Sequence, residues 1–261
     1  MQSFKASKRM KDIVEQAKKL NTRFHKMADI GTDHGYLPRL MFDENLTENS
    51  ILCDINPGPL KNAEKTFIGT KYTNHVEFRL GSGVEPLSAG EVDLVVIAGM
   101  GGGLILDILS KEIVKSKSFP YLILQPQTEQ NLLRQWLIDE NFTILWEHYL
   151  VDMGKQYEML VVQTSKDILE PSVDDATIRS ASKMLTIAID SDDLEFGTVI
   201  LKDEIDAYLN FLQHKSSKYA FILDHMQNAQ DSEEKKVFCK SKLETIKQIQ
   251  DRFKHEIASV E

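Results

Sequence analysis

The sequence predicts an α/β fold: an open, mostly parallel sheet that ends in an antiparallel hairpin and is followed by a pair of long helices. Three observations carry this. Short runs rich in Val, Ile and Leu alternate with helix-compatible stretches as far as residue 140. Two apolar runs then follow each other across Met153-Gly154-Lys155, a short connection suited to a hairpin. Beyond residue 166 the strand signal disappears and apolar residues recur at helical spacing. Two domains are expected, a sheet domain over 1–165 and a helical hairpin domain over 166–261.

The elements follow in order. Residues 6–20 form an amphipathic helix, with Met10, Ile13, Val14, Ala17 and Leu20 three and four residues apart. MADIG (27–31), SILCDI (50–55), VEFRLGS (76–82), VDLVVIAG (92–99) and YLILQP (121–126) are strands, each followed by turn residues. The near-continuous apolar run at 92–98 suits a central strand covered on both faces. Pro59–Phe67, Leu104–Val114 and 128–140 fill the gaps as helices. FTILWEHYLVD (142–152) and QYEMLVVQTS (156–165) pair as the hairpin. Asp174–Ile189, Leu194–Gln230 and Glu233–Ile257 are helix-compatible, and Asp231-Ser232 supplies a break and an N-cap between the last two. These fold back as an antiparallel, coiled-coil-like hairpin with an imperfect heptad.

Composition narrows the function. The 261 residues are 42% hydrophobic and 27% charged, ordinary values for a globular protein. Cys53 and Cys239 stand far apart without metal-ligand partners, so neither a disulfide framework nor a metal site is expected. No run reaches the roughly 18 apolar residues of a membrane span, and MQSFKASKRMKD lacks an apolar signal core. A cytoplasmic protein is expected, with a monomer favoured. The net charge of −9 opposes bulk nucleic-acid binding, but it is unevenly spread. Residues 1–26 hold eight Lys/Arg against two acids, whereas 166–261 hold 13 against 19. A local basic patch binds phosphate despite an acidic total.

The chemistry concentrates at strand ends. Ala28-Asp-Ile-Gly-Thr-Asp-His-Gly-Tyr-Leu37 carries Asp29, Gly31 and Gly35, with Asp33 and His34 inside the loop. Glycines here permit a sharp turn and close approach of a ligand to the backbone. The spacing is not the G-x-G-x-x-G of a pyrophosphate loop, which ranks a nicotinamide-dependent oxidoreductase lowest. A carboxylate at the turn suits a ligand bearing an ammonium group and a sulfonium, such as S-adenosylmethionine (SAM). It equally suits the capping of a tight turn. Asp54, followed by Ile55, closes the second strand at the distance where an acid takes both ribose hydroxyls. Gly81-Ser82-Gly83 follows the third strand, with Ser82 placed for an adenine edge or for a plain turn. Gly99-Met100-Gly101-Gly102-Gly103 closes the fourth, and lets a planar base lie against backbone. Gln125 and Gln127 end the fifth, facing a base edge or solvent.

Together these segments resemble the TrmK family, bacterial SAM-dependent tRNA (adenine-22-N1)-methyltransferases. The resemblance rests on A-D-I-G-T-D-H-G-Y-L-P at 28–38, V-V-I-A-G-M-G-G at 95–102 and L-I-L-Q-P at 122–126. It implies the seven-stranded Rossmann-like sheet of class I methyltransferases, whose last strand inserts antiparallel. It implies SAM as cofactor and methyl transfer to N1 of an adenosine in tRNA, extruded into the pocket. The expected cofactor residues are Asp29, Gly31, Thr32, His34, Gly35, Tyr36, Asp54, Ile55, Gly81, Ser82, Gly83, Gly99 and Met100. Asp29 is the first candidate for stabilising the cationic ring that methylation creates. Asp33 and His34 come second, for acceptor contact or proton handling. Tyr36 stacks on base or cofactor, or packs. For tRNA contact the basic N-terminal segment is expected, helped by Arg39, with Lys215, Lys218, Lys235, Lys236 and Lys240 as braces on the hairpin.

Two other readings stay open. The D/N-P-P-Y tetrapeptide of many amino-methyltransferases is missing after strand four, which leaves room for a methyltransferase acting on a protein or a small molecule. A noncatalytic adaptor working through the hairpin is the third.

Overall fold

The computed structural model describes residues 6–152, 155–164, 186–189, 193–226 and 233–258. Its centre is one twisted sheet. The strands are β1 (Phe24–Ile30), β2 (Thr47–Asp54), β3 (Val76–Leu80), β4 (Leu94–Met100), β5 (Tyr121–Pro126), β6 (Thr143–Asp152), β7 (Lys155–Gln163), β8 (Thr186–Ala188) and β9 (Val199–Leu201). The order across the sheet is β3-β2-β1-β4-β5-β7-β6-β9-β8. β1 to β5 run parallel, and β7 inserts antiparallel between β5 and β6. The first seven strands therefore form the expected class I methyltransferase sheet. The correction is its width: the sheet has nine strands, because β9 adds to β6 and β8 pairs with β9.

Those two strands lie where no strand signal was read. Leu194–Gln230 is not one helix. Leu194–Phe196 is a 3-10 turn, Val199–Leu201 is strand, Lys202–Glu204 is a second 3-10 turn, and the helix starts at Ile205. The reason lies at Gly197, whose φ is +94°. A Cβ there would strike the Tyr149 hydroxyl, so only glycine lets the chain turn in beside β6. The Thr198 backbone N–H and hydroxyl then donate to Glu147 Oε1 at 2.7 and 2.8 Å. Asp174–Ile189 falls largely outside the described residues, and its last part is β8. Met153-Gly154 and Asp231-Ser232 also fall outside them.

Helices cover both faces. α1 (Lys8–Lys19) begins at Ser7, whose hydroxyl accepts from the Met10 N–H at 3.2 Å. Its buried stripe of Ile13, Val14 and Ala17 packs with α2 (Tyr36–Asp43) on Met27, Leu94, Val96 and Ile123. α4 (Gly102–Lys111) and α6 (Gln130–Asp139) cover Ala28, Val95, Ile97 and Leu124 on the opposite face, with α5 (Ile113–Ser116) beside them. Alternate residues of β4 thus enter opposite cores, which explains its continuous apolar run. α3 (Pro57–Phe67) closes a smaller aromatic cluster of Phe42, Phe67 and Tyr72 at the β2–β3 end.

α7 (Ile205–His225) and α8 (Glu233–Ala258) pack against each other through Tyr208, Phe211, Leu212, Cys239, Ile246, Ile249 and Phe253. Tyr149 and Ile200 of the sheet belong to the same core. Beneath it lies a dry ionic knot. Arg134, wholly buried, donates to Glu147 Oε2 (2.9 Å from Nε) and to Glu158 Oε2 (2.5 Å), while Nη1 donates to the Leu194 carbonyl. Burial works against the guanidinium charge, and Glu147 and Glu158 more than reverse it, so the pKa stands well above its ordinary value. No helix among the described residues is long and apolar enough to cross a membrane.

Candidate active site

In an open parallel sheet, ligands bind where the strand order reverses, at the carboxyl ends. Here that point lies between β1 and β4. Three of the sequence-nominated segments meet there, those after β1, β2 and β4, and the one after β3 joins them at β2.

Asp29 is the penultimate residue of β1 and is only 5% exposed. Its Oδ2 accepts from the Thr32 hydroxyl at 2.6 Å. Burial pushes the carboxyl up to about 6, the Thr32 hydrogen bond opposes this, and the negative charge of Asp54 adds to it. No cation partners it among the described residues. Gly31 and Thr32 both donate their backbone N–H to the Cys53 carbonyl, at 2.8 and 3.2 Å, which ties the loop to the end of β2. Gly31, at φ +74°, leaves just enough room for the Met100 methyl, so the β1 and β4 loops touch directly. Gly35, at φ +67°, starts α2 and lies against Leu52, Ala63 and Phe67. Its role is close packing of helix on sheet.

Asp33, also at positive φ, and His34 stand on the rim. The Asp33 side chain is 72% exposed and that of His34 45%, with 3.6 Å between Oδ1 and Nε2. The His34 ring lies nearly parallel to Tyr36, centroids 5.2 Å apart, and its carbonyl accepts from Thr66. Asp54, last in β2, accepts the Asn56 N–H on Oδ1, and its other oxygen has no partner among the described residues. Ile55 beside it is 65% exposed. Gly81 donates to the Asp54 carbonyl at 3.0 Å, which brings Gly81-Ser82-Gly83 to the same corner. A Cβ on Gly81 would meet Pro86 and one on Gly83 the Ile108 side chain, so both serve packing, and Ser82 is the polar group between them.

At the end of β4 the ladder to β5 slips between Ala98 and Met100. Gly99 sits in that bulge at φ +85°, and its N–H donates to Gln125 Oε1 at 3.1 Å. Gln125 is completely buried and also takes a hydrogen bond from Arg9 Nη1 at 3.4 Å. Gln127 is exposed, and its Nε2 lies near Gly99.

Sequence reasoning counted Arg9 only as one cation of the basic N-terminal segment and missed Tyr157. Arg9 reaches from α1 over the β4 and β5 ends, its guanidinium 5.6 Å from the Tyr157 ring centroid. The signal was there: Arg9, Ile13 and Gln16 share one helix face, and Ile13 and Gln16 are buried. Four of the eight cations in the expected basic segment are paired with acids. Lys18 pairs with Glu15 and Glu44, Lys19 with Asp203 and Glu204, Arg23 with Glu48 and Lys26 with Glu77. Arg39 is turned to Asp43 and the Thr66 carbonyl, and Lys215 of the hairpin to Glu158 and Glu195. No cluster of three or more metal-ligating side chains occurs among the described residues.

The sequence profile of the TrmK family, tRNA (adenine(22)-N(1))-methyltransferase, matches residues 27–248. A tRNA (adenine(22)-N(1))-methyltransferase of Bacillus subtilis is 35% identical over 163 residues, which are 62% of this chain and 67% of that protein. The crystal structure of the B. subtilis M1A22 tRNA methyltransferase TrmK superposes with a TM-score of 0.71 at 27% identity, covering 95% of this chain and 99% of that one. A Streptococcus pneumoniae protein solved in complex with S-adenosyl-L-methionine superposes at 0.72 with 26% identity, covering 94% and 99%. With the sheet order, the β1 and β4 loops and a profile match over most of its length, this chain belongs to the TrmK family of tRNA (adenine(22)-N(1))-methyltransferases.

Proposed function

We propose that this chain transfers a methyl group from SAM to N1 of adenosine 22 in tRNA. The observation that carries the reading is the convergence, at the strand-order reversal, of a buried carboxylate without a cation partner (Asp29), a second carboxylate beside an exposed apolar side chain (Asp54 and Ile55), and a bulged glycine backbone (Gly99).

The residues present fit SAM. The free oxygen of Asp54 suits a ribose diol, and Ile55 offers an apolar surface for a purine ring. Ser82, held next to Asp54 by the Gly81 hydrogen bond, stands where a base edge is read. Asp29, oriented by Thr32, supplies negative charge toward a cationic ligand. When bound, SAM supplies an electrophilic methyl group. Adenine N1 carries its own lone pair, so the chain's task is alignment more than base catalysis. Gly99 and Gly101 keep the acceptor side free of side chains, and the buried Gln125 fixes the Gly99 peptide. The Asp29 carboxylate lowers the energy of the positive charge that develops on the ring. Asp33 and His34, on the rim beside Tyr36, contact the acceptor nucleotide after its extrusion. In this reading residues 1–165 bind the cofactor and perform the chemistry, and 166–261 brace the tRNA. The protein works as a monomer in the cytoplasm, where Cys53 and Cys239, both buried and unpaired, stay reduced.

Incubation with SAM and unmodified tRNA, followed by nucleoside mapping, tests the reading. 1-Methyladenosine at position 22 is expected. Methylation elsewhere, or none with a tRNA that carries adenosine there, rejects it.

A further inference from the structure

Among the arginines of the sheet domain, Arg9 alone has no carboxylate partner among the described residues. Arg23 pairs with Glu48, Arg39 with Asp43, Arg79 with Glu77 and Glu91, and Arg134 with Glu147 and Glu158. Arg9 instead rests on the Tyr157 ring and gives one N–H to Gln125. Its neighbour Lys8 donates to the Val151 carbonyl at the end of β6, on the same edge of the sheet, and Lys11 follows one turn later, exposed.

We propose that Arg9 is a phosphate anchor for the acceptor strand: its guanidinium holds the backbone phosphate next to the extruded adenosine, with Lys8 and Lys11 extending the contact along the RNA. This rests on the tRNA methyl-transfer reading and adds to it the group that places the substrate.

The geometry selects phosphate over base. Arg9 Nη1 lies 3.6 Å from where a Cβ on Gly99 would stand, so the cation borders the bulge at the mouth of the acceptor side. A fixed positive charge against the base edge would oppose a reaction that makes the ring cationic. Against a phosphate it does the reverse. The planar fork keeps Nε and Nη2 available, which suits bidentate contact with two phosphate oxygens. Tyr157 and Gln125 hold the side chain in place beforehand, so little rotamer entropy is lost on binding. Lys18, Lys19, Arg23 and Lys26 are engaged by acids, which leaves Lys8, Arg9 and Lys11, at the start of α1, as the cations of the segment without an acid partner among the described residues.

The test compares wild type, Arg9→Ala, Arg9→Lys and Arg23→Ala. Arg23 precedes β1 at the opposite edge of the sheet and controls for the loss of one charge. Three quantities are read: the KM and equilibrium binding of unmodified tRNA between 50 and 200 mM salt, the SAM dissociation constant, and the thermal midpoint. Arg9→Ala is expected to raise the tRNA KM about tenfold and to lower the slope of log affinity against log salt by about 1. SAM affinity and thermal midpoint stay at wild-type values, Arg9→Lys recovers the slope more than the affinity, and Arg23→Ala behaves as wild type. An unchanged salt slope in Arg9→Ala overturns the anchor. So does a parallel loss of SAM affinity, which assigns Arg9 to bracing Gln125. Should wild type bind tRNA without forming 1-methyladenosine while Arg9→Ala loses the salt-dependent binding, the anchor stands and the reaction assignment falls. Should wild type form 1-methyladenosine and Arg9→Ala match it in binding and slope, the assignment stands and the anchor falls.

Discussion

Asp29 and Glu147 are both carboxylates buried in the same sheet, and they live in opposite circumstances. Glu147, on β6, is wholly enclosed and fully satisfied. It accepts from Arg134, from the Tyr149 hydroxyl and from both donors of Thr198. The Asp29 side chain, on β1, has one hydrogen bond among the described residues, from Thr32, and a second carboxylate in its vicinity. A buried charge costs free energy unless it is paired. The β6 side meets that cost with an arginine and ties the hairpin to the sheet. The β1 side leaves it standing among the described residues, in keeping with the proposed role of Asp29 toward a cationic ligand. The half of the sheet tied to the helical hairpin and the half that carries the candidate site thus differ in how completely these two carboxylates are satisfied.

The largest effect expected is at the knot. Arg134→Leu strands Glu147 without a counter-charge and leaves Glu158 only Lys215 at 3.8 Å, and a loss of about 3–5 kcal/mol of stability follows. Denaturant unfolding measures it. Adding Glu147→Gln, which removes the stranded charge and keeps an acceptor for Tyr149 and Thr198, should recover part of the loss. An unchanged midpoint in the single variant removes the distinction between the two halves.

Asp29→Asn has the opposite sign. Amide for carboxylate keeps an oxygen for the Thr32 hydroxyl and removes the charge. Turnover should drop about 10²-fold or more. Stability should rise at neutral pH, for a reason that can be signed. The folded pKa of about 6 lies above the ordinary 3.8, so between these values the folded state binds more proton than the unfolded chain. Its destabilisation is absent below about pH 4, complete above about pH 6, and on the order of 3 kcal/mol. Thermal melts at pH 4 and pH 8 check this: the variant gains at pH 8 and gains little at pH 4. A variant less stable than wild type at pH 8 contradicts the view of Asp29 as an unsatisfied charge.

The same titration predicts a smaller change in binding. If Asp29 meets the cationic end of SAM, affinity weakens as the carboxyl protonates, by up to about tenfold between pH 6 and pH 5. Calorimetry across that range decides. A flat profile places the charge of Asp29 away from the cofactor.

The sheet was legible in the sequence because the central strands β1, β2, β4 and β5 each carry a buried apolar stretch, continuous in β4, whereas the edge strand β3 has no buried residue. The candidate site stood out in the sequence because Asp29, Asp54 and Gly99 stand at strand ends, where glycine and acid are conspicuous. β8 and β9 were hidden. Three residues each, they gain their strand conformation from β6 and from the Gly197 turn rather than from a pattern of their own. Arg9 was hidden differently. Its meaning comes from a bulge in β4 and a buried glutamine in β5, over a hundred positions away in sequence for Gln125. Local charge counts saw six surplus positive charges in the first 26 residues and could not see that acids farther along the chain claim Lys18, Lys19, Arg23 and Lys26.

The smallest prediction tests that division of the basic segment. Arg23 and Glu48 form an exposed pair at the edge of the sheet away from the site, with side chains 52% and 42% exposed. Such pairs contribute little, because solvent screens them and ordering two long side chains costs entropy. Arg23→Ala should change stability by about 0.5 kcal/mol or less. It should leave tRNA affinity and its salt slope unaltered, since the cation is already matched by an acid and faces away from the strand ends where the acceptor enters. An effect on tRNA binding comparable to that of Arg9→Ala would mean that the RNA is held by the summed charge of the segment. The absence of one means that position, and not count, decides which of its cations touch the substrate.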